Sequence, residues 1–545
     1  MLSRIASIAT LVAAIASPAC SQQAPRSPGT VVLAIIGDVT VPVPVVAPAV
    51  THVADVTDQM FLRLAFLKSG FQTIGDQALA PMLARSWRRI DGRTLRFELD
   101  PRARWHDGTP VTSRDVVFTW QLMNNPQVGT DRAVLEPIES IAVDGPGAFT
   151  VRFRRAFQEQ LYLVAFNIQP LPAHLLSGVP AESIATSEFA RQPVGNGPYR
   201  FGRRVAGQFV ELTADPSFFL GRPGIGRLVF RVVGDPVARL NMLLSGEIDV
   251  MDMLPATAMP QVRAHRELRV ATFMSNLLMY ARFNSRSPAD TSKQHPILAD
   301  RAVREALVAS LDRTAMARSA FGPNTLVPDA AQSVTWSWIA PVAARKAASG
   351  VAQTRAALAA AGWRDSDGDG IVDRNGLPLR LGLLYPNTSG LRNAVALQMQ
   401  AMWKAAGIDA QLDRVDPAVY SQRRRAGAFD VEITAVNQDA SPMSLAQSWT
   451  CASAAEALSS NNARWCDAEF DRLLAAAGTS RNPAADYRAA LARMTHEAPA
   501  VFIAAPYNNM AIHSRLENIQ VWPIKQWTSL WQWRVRRGAE LPRDR

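Results

Sequence analysis

Paired histidines are missing from this sequence. The seven stand at 52, 106, 174, 265, 295, 496 and 513, none four residues from another, and His496-Glu497 lacks the second half of HExxH. That removes the common helical zinc pattern, although the ligands of a dispersed site converge in space rather than in sequence. No G-x-S-x-G nucleophile elbow, G-x-x-x-x-G-K-[ST] phosphate loop or G-x-G-x-x-G after a strand is present, so the inexpensive arguments for an enzyme fall away. Basic blocks are missing too. The formal charge is +11, but it is spread along the chain, with small clusters only at Arg423-Arg424-Arg425 and at Arg534, Arg536 and Arg537. Scattered charge makes nucleic-acid binding a weak reading, and an anionic membrane surface is an equally cheap partner for it.

Cysteine is scarce, with three in 545 residues. Cys20 closes MLSRIASIATLVAAIASPAC, which has Arg4 in a short n-region, an apolar stretch from Ile5 to Ile15, and Ser17, Pro18 and Ala19 before the cysteine. The apolar stretch is too short to span a bilayer and reads as an export signal over residues 1–19. A cysteine directly after small residues resembles a bacterial lipoprotein signal, in which that cysteine is lipidated, although Ser17 stands where leucine is usual. Ordinary signal-peptidase cleavage is the alternative. SQQAPRSPG then reads as a tether over 20–29. Cys451 and Cys466 remain, isolated in a chain bound for an oxidising compartment, and are expected to form a disulfide. Two buried free thiols are the alternative, and two cysteines are too few for a metal site.

The chain is not short of apolar residues. At 48% hydrophobic it can build a sizeable core, and its length allows two to four domains. TVVLAIIGDV, RTLRFELD, FTVRFRR, QFVELTAD and RLVFRVVGD read as strands, whereas proline punctuates VPVPVVAPAV into an irregular segment. Asp55 through Leu67 is expected as a helix with Met60, Leu64 and Leu67 on one face, and DRAVREALVASLDRTAMARSAF as one amphipathic helix. ELRVATFMSNLLMYARFN reads as strands broken near Ser275-Asn276. LPLRLGLLYP, NAVALQMQAMWKAAGI and FDVEITAV then alternate strand, helix, strand, the rhythm of an α/β fold.

RARWHDGTPVTSRDVVFTWQLM places His106 beside Asp107 in a turn between a strand and a helix capped by Thr112 and Asp115. With no nucleophile nearby, the pair is expected to shape the turn rather than carry chemistry. DSDGDGIVDRNG spaces Asp365, Asp367, Asp369 and Asp373 as an EF-hand-type loop does, but Gly376 stands where the bidentate glutamate belongs. A weak calcium loop and a hydrated acidic turn both fit.

Several segments together resemble the family 5 extracellular solute-binding proteins, the peptide, oligopeptide and nickel-type receptors of bacterial ABC importers. Trp105 to Pro110 with Asp115 and Val116 carry the resemblance, with Gly195, Gly197, Pro198 and Tyr199 of PVGNGPYRF and Gly246, Glu247 and Asp249 of LLSGEIDVMD. ARFN and RAVREALVASLDR look like the start of the second lobe. The resemblance runs from about residue 30 to 535 and implies a two-lobed periplasmic-binding-protein-like α/β fold of type II, with an extra subdomain inserted in the first lobe. It implies a first lobe over 30–285, a second over 286–494, a return to the first over 495–535, and leaves a basic tail at 536–545. It implies a monomeric receptor without cofactor that passes a ligand to an ABC permease. The ligand expected is a peptide, with metal chelates, haem, sugars and opines as alternatives within the family. The rivals are a secreted hydrolase with a dispersed site and a non-transport sensor or chaperone-like binder using the same fold. In peptide-binding members an acidic residue can face the peptide amino terminus, which makes Asp439 in VNQDASPMSL the candidate, with Asn437 beside it. Tyr280, Trp336, Trp338, Trp449 and Trp465 are candidate aromatic walls, although most tryptophans in any chain are packing.

Overall fold

A computed structural model describes residues 29–47, 50–128, 135–339, 350–456 and 459–544. The export signal, Cys20 and all but the last residue of the tether lie outside the described residues. No helix among the described residues is long and apolar enough to cross a membrane.

A single ladder of strands runs through both lobes. Its order is Asp409–Val415, Arg380–Pro386, Val431–Asn437, Leu277–Phe283, Ala500–His513, Val250–Met251, Thr30–Ile35, Arg227–Val232, Phe209–Ala214 and Tyr199–Val205. Parallel pairing of Arg380–Pro386 with Asp409–Val415 is bridged by the helix Gly390–Ala405, the crossover such pairs require. The first lobe also carries a separate four-stranded antiparallel sheet, Ala84–Asp91, Thr94–Leu99, Ala148–Phe153 and Ile138–Gly145. This is the inserted subdomain, and it shares one continuous hydrophobic core with the first lobe through Leu95, Phe97, Phe149, Leu212 and Phe230.

The strand Ala500–His513 belongs to both lobes. Ala500, Val501, Phe502 and Ala504 pair with Leu277–Phe283 of the second lobe, and Tyr507 to His513 pair with Leu268–Met274 of the first. Only the break at Ser275-Asn276 and the stretch around Pro506 connect the two halves of these strands. Because Leu277–Phe283 pairs with Val431–Asn437, the second lobe begins near 277 rather than 286, and it keeps the chain to about 504 rather than 494. The boundary expected at 285 followed the onset of the strong helical pattern, which begins one strand too late.

Two expected helices differ. The first runs Thr51–Met60, and Ala65–Leu67 is a strand. Its end is imposed from a distance, because the Met60 carbonyl accepts from Asn196 N (2.8 Å) and Gly197 N (2.7 Å), while the Asn196 side-chain oxygen accepts from Leu62 N (2.8 Å). Helix continuation would need that carbonyl for its own ladder. The long amphipathic pattern is two helices, Arg301–Ala309 and Arg313–Phe321, since Asp312 caps the second through Ala315 N at 2.9 Å.

The His106 turn is scaffold. His106 Nδ1 accepts from Gly195 N at 3.1 Å, Nε2 reaches Gly197 O at 3.0 Å, and the His106 carbonyl accepts from Arg200 at 2.7 Å. The two glycines are there for contact: a Cβ on Gly195 would stand 2.0 Å from Met60 O, and one on Gly197 2.5 Å from Gln59 O. Gly195→Ala is expected to cost about 1–3 kcal/mol by forcing this segment off the helix end, read as a lower urea midpoint. Burial drives the His106 pKa down to about 4 from its ordinary 6.5. Between those values the unfolded chain binds the proton and the folded one does not, so stability is complete above about 6.5 and falls as the pH drops toward 4. The loss expected is about 1–3 kcal/mol. Urea titrations at pH 7.5 and 4.5 on wild type and His106→Gln check it: an equal acid loss in both would show that another group is responsible.

The stretch expected as a basic tail is fastened instead. Arg515 donates to Asp249 Oδ1 (2.7 Å), to Asp544 Oδ2 (2.8 Å) and to the Thr30 carbonyl (2.6 Å). Asp249 also accepts from Val32 N (2.9 Å) and from Arg543 (2.6 Å). The Gly-Glu-x-Asp segment thus supplies the carboxylate at the centre of a buried network joining the first strand, the long shared strand and the chain end.

Candidate functional site

Between the lobes lies a cavity of about 490 Å³, within the usual range for ligand sites. The first turns of the helix Thr51–Met60 supply Thr51, His52 and Asp55, the chain after Val250–Met251 supplies Asp252, and the helix Pro236–Leu244 supplies Arg239. Tyr507, Asn508 and Asn509 of the shared strand form its hinge wall, and Gln526 and Trp527 come from the Trp-rich end. The second lobe contributes Phe321, Leu391 and Asn437. A lobe-to-lobe hydrogen bond, Asn437 Nδ2 to Thr51 Oγ1 at 3.2 Å, closes one rim.

Two carboxylates share this cavity. Asp252 accepts from Asn508 (2.8 Å) and Gln526 (2.7 Å). Burial raises its pKa, and raises that of Asp55 further, with the Asp252 and Asp58 charges adding to the push on Asp55. Lys525, whose charge favours the ionised form of Asp55, is ion-paired with Asp58 at 3.2 Å. Arg239 is 6% exposed, and its Nε has no hydrogen-bond partner among the described residues.

A second cavity of about 460 Å³, in the second lobe, meets the first at Asn437. Asp439 lies on its wall. Its Oδ1 accepts from the Tyr162 hydroxyl (2.8 Å) and from Ser441 N (2.7 Å), so a first-lobe side chain already holds the carboxylate. Next to it Glu159, 2% exposed, accepts from Thr73 and from Tyr487 (3.3 Å), and Gln158 donates to the Gly478 and Ser480 carbonyls, both at 3.0 Å. Residues 158–162 thus latch the first lobe to the second.

The aromatic candidates are mostly core. Tyr280, Trp449 and Trp465 pack in series with ring centroids 5.7 and 6.2 Å apart, and Trp336 is fully buried with its indole N–H on the Asp439 carbonyl at 3.1 Å. Tyr280 and Trp449 reach only the wall of the second cavity, and Trp338 stands edge-on to Tyr487. Tyr280 points this way because alternate residues of Leu277–Phe283 face the helical layer beneath. Neither Trp336, Trp338 nor Trp465 lines either cavity. The aromatics of the cleft are Phe230, Phe273, Phe321, Tyr507 and Trp527, and among these the tryptophan-rich end alone is conspicuous in the sequence, for Trp527.

The other candidate residues stand apart from the cleft. Oxygens of Asp365, Asp367 and Asp369 converge within 4.8 Å of one another on an exposed loop, while Asp373 turns to accept from Ser366. Cys451 and Cys466 are joined as a disulfide, Cα–Cα 4.3 Å.

Two α/β lobes, two strand connections and a ligand-sized cavity at their junction define a hinged solute receptor. The sequence profile of the bacterial extracellular solute-binding proteins, family 5, matches residues 78–457, and the chain belongs to that family. It is therefore an extracytoplasmic solute receptor of the ABC-importer type and not an enzyme. The oligopeptide-binding protein AppA of Bacillus subtilis is 24% identical over 463 residues, 83% of this chain and 82% of that one. A putative ABC transporter peptide-binding protein of Brucella ovis is 30% identical over 61% of this chain and 59% of its own. The structure of AppA with a nonapeptide superposes with a TM-score of 0.79 at 22% identity, covering 94% of this chain and all (100%) of that one. NikZ of Campylobacter jejuni, in complex with Ni(L-His), superposes at 0.78 and 20% identity, with coverage of 94% and 100%. At these identities the superpositions establish a shared fold.

Proposed function

We propose that this protein captures a peptide in the cleft between its lobes and delivers it to an ABC permease, held at the membrane by a lipid on Cys20. The observation that carries the ligand reading is the composition of the cavity: two carboxylates, one buried guanidinium, the Asn508 and Asn509 amides and the rings of Tyr507 and Trp527 around about 490 Å³. Such a lining offers polar anchors for a backbone with its ends and apolar area for varied side chains. The similarity to the oligopeptide-binding AppA supports it. Closing about the strand Ala500–His513 would bury both faces of the ligand, and a permease that prefers the closed form reads loading as a population shift.

Mass spectrometry of ligands released from protein purified without denaturation, followed by calorimetry with a tripeptide library, tests the ligand class. Peptides are expected in the released fraction and heat on titration. Tight binding of nickel–histidine with no response to the library would replace the ligand and leave the receptor standing. For the anchor, the mature amino terminus is expected at Cys20 with its diacylglyceryl mass; an unmodified terminus elsewhere would end that reading.

A further inference from the structure

We infer that the first-lobe wall of the cleft is a dipolar subsite, in which Asp55 and Asp252 take a ligand ammonium group and Arg239 takes its carboxylate. The inference rests on the peptide reading above and assigns the charged ends of that ligand. All three side chains line the same cavity. Burial and the charges of Asp252 and Asp58 disfavour ionisation of Asp55, and Lys525, ion-paired with Asp58, gives it only partial relief. An entering ammonium would supply that relief as a charge-assisted hydrogen bond. Arg239 is the independent sign of a ligand. It is 6% exposed, its Nε is without a partner among the described residues, and the charges of Asp252 and Asp235 attract it without forming an ion pair. A buried guanidinium left so is costly unless something completes it, and the cavity is the direction from which a planar carboxylate can arrive.

This assignment moves the ammonium away from Asp439. The oxygen of Asp439 that Tyr162 and Ser441 occupy is already committed to holding the lobes together. Asp439 also lies on the wall of the second cavity, beyond Asn437, and not on that of the cleft.

The test uses one random tripeptide library in three forms: free, N-acetylated and C-amidated. Binding to the full-length protein is followed by calorimetry. Wild type is expected to lose at least about tenfold in affinity on acetylation and on amidation. Asp55→Asn, with Asp252→Asn as a second variant, is expected to bind the free and acetylated libraries alike. Arg239→Gln is expected to bind the free and amidated libraries alike. The wild-type comparison requires no variant to fold. Equal binding of all three forms would overturn the subsite and leave the peptide reading intact. Acetylation sensitivity that survives in Asp55→Asn and Asp252→Asn but vanishes in Asp439→Asn would overturn it in favour of Asp439. No binding of any form would overturn both.

Discussion

Replacing Asp249 by alanine is expected to cost about 3–5 kcal/mol. The reason is what remains behind. Arg515 is 1% exposed and Asp249 is its bidentate partner. Removing the carboxylate leaves a buried guanidinium with only Asp544 and a carbonyl, takes the side-chain acceptor from Val32 N, and leaves Arg543 with the Gly246 carbonyl alone. Restoring neutrality should recover much of the loss, so the double variant Asp249→Asn with Arg515→Met is expected to be more stable than Asp249→Ala. Urea unfolding of wild type and both variants at pH 7.5 decides it. A single variant within about 1 kcal/mol of wild type would show the network to be ornamental.

The second large effect concerns Glu159. Burial lifts its pKa to about 7 from an ordinary 4.5, the Asp439 charge adding to the rise while bonds from Thr73, Ser441 and Tyr487 oppose it. Between 4.5 and 7 the folded protein holds a proton that the unfolded chain has released. Stability from this group is therefore complete below about 4.5 and is lost as the pH rises through 7. The amount at stake is about 3 kcal/mol. Glu159→Gln fixes the neutral form and is expected to raise stability at pH 8 by about 2–3 kcal/mol while leaving pH 5 almost unchanged. The latch joins the lobes, so opening would let water reach the carboxylate and release the proton. Ligand binding that closes the cleft should then take up protons near pH 7. Calorimetry in two buffers of different ionisation enthalpy measures that uptake, and identical heats in both would remove Glu159 from the closing motion.

The sequence carries its local features well. The capping pair Thr112 and Asp115 is formed, with Thr112 N on Asp115 Oδ2 at 2.7 Å, and both partners lie within one turn of helix. The strand break at Ser275-Asn276 is also where expected, because the hydrophobic alternation is interrupted there. What could not be read depends on residues far apart. The helix Thr51–Met60 ends because residues 195–197 occupy its last carbonyl, and nothing in Asp55 through Leu67 records that. Asp439 could be picked out as a candidate from its neighbourhood, but its partner Tyr162 lies 277 residues away. Asp55 and Arg239 carry no motif and Asp252 only closes the segment LLSGEIDVMD; nothing local marks them as neighbours until the first lobe folds and puts all three on one cavity wall.

The strand Ala500–His513 also sets the order in which the protein can come into being. The second lobe lacks one of its central strands until Ala504 has been made, and the first lobe lacks a neighbour for Val250–Met251 until Ile512. The Thr30 amide waits longer still for Asp544, 514 positions on. Loop closure over such spans is slow, and at about 5–20 residues per second neither sheet can be completed until the strand Ala500–His513 has emerged. The strand that hinges the lobes is thus also the piece without which neither sheet is whole.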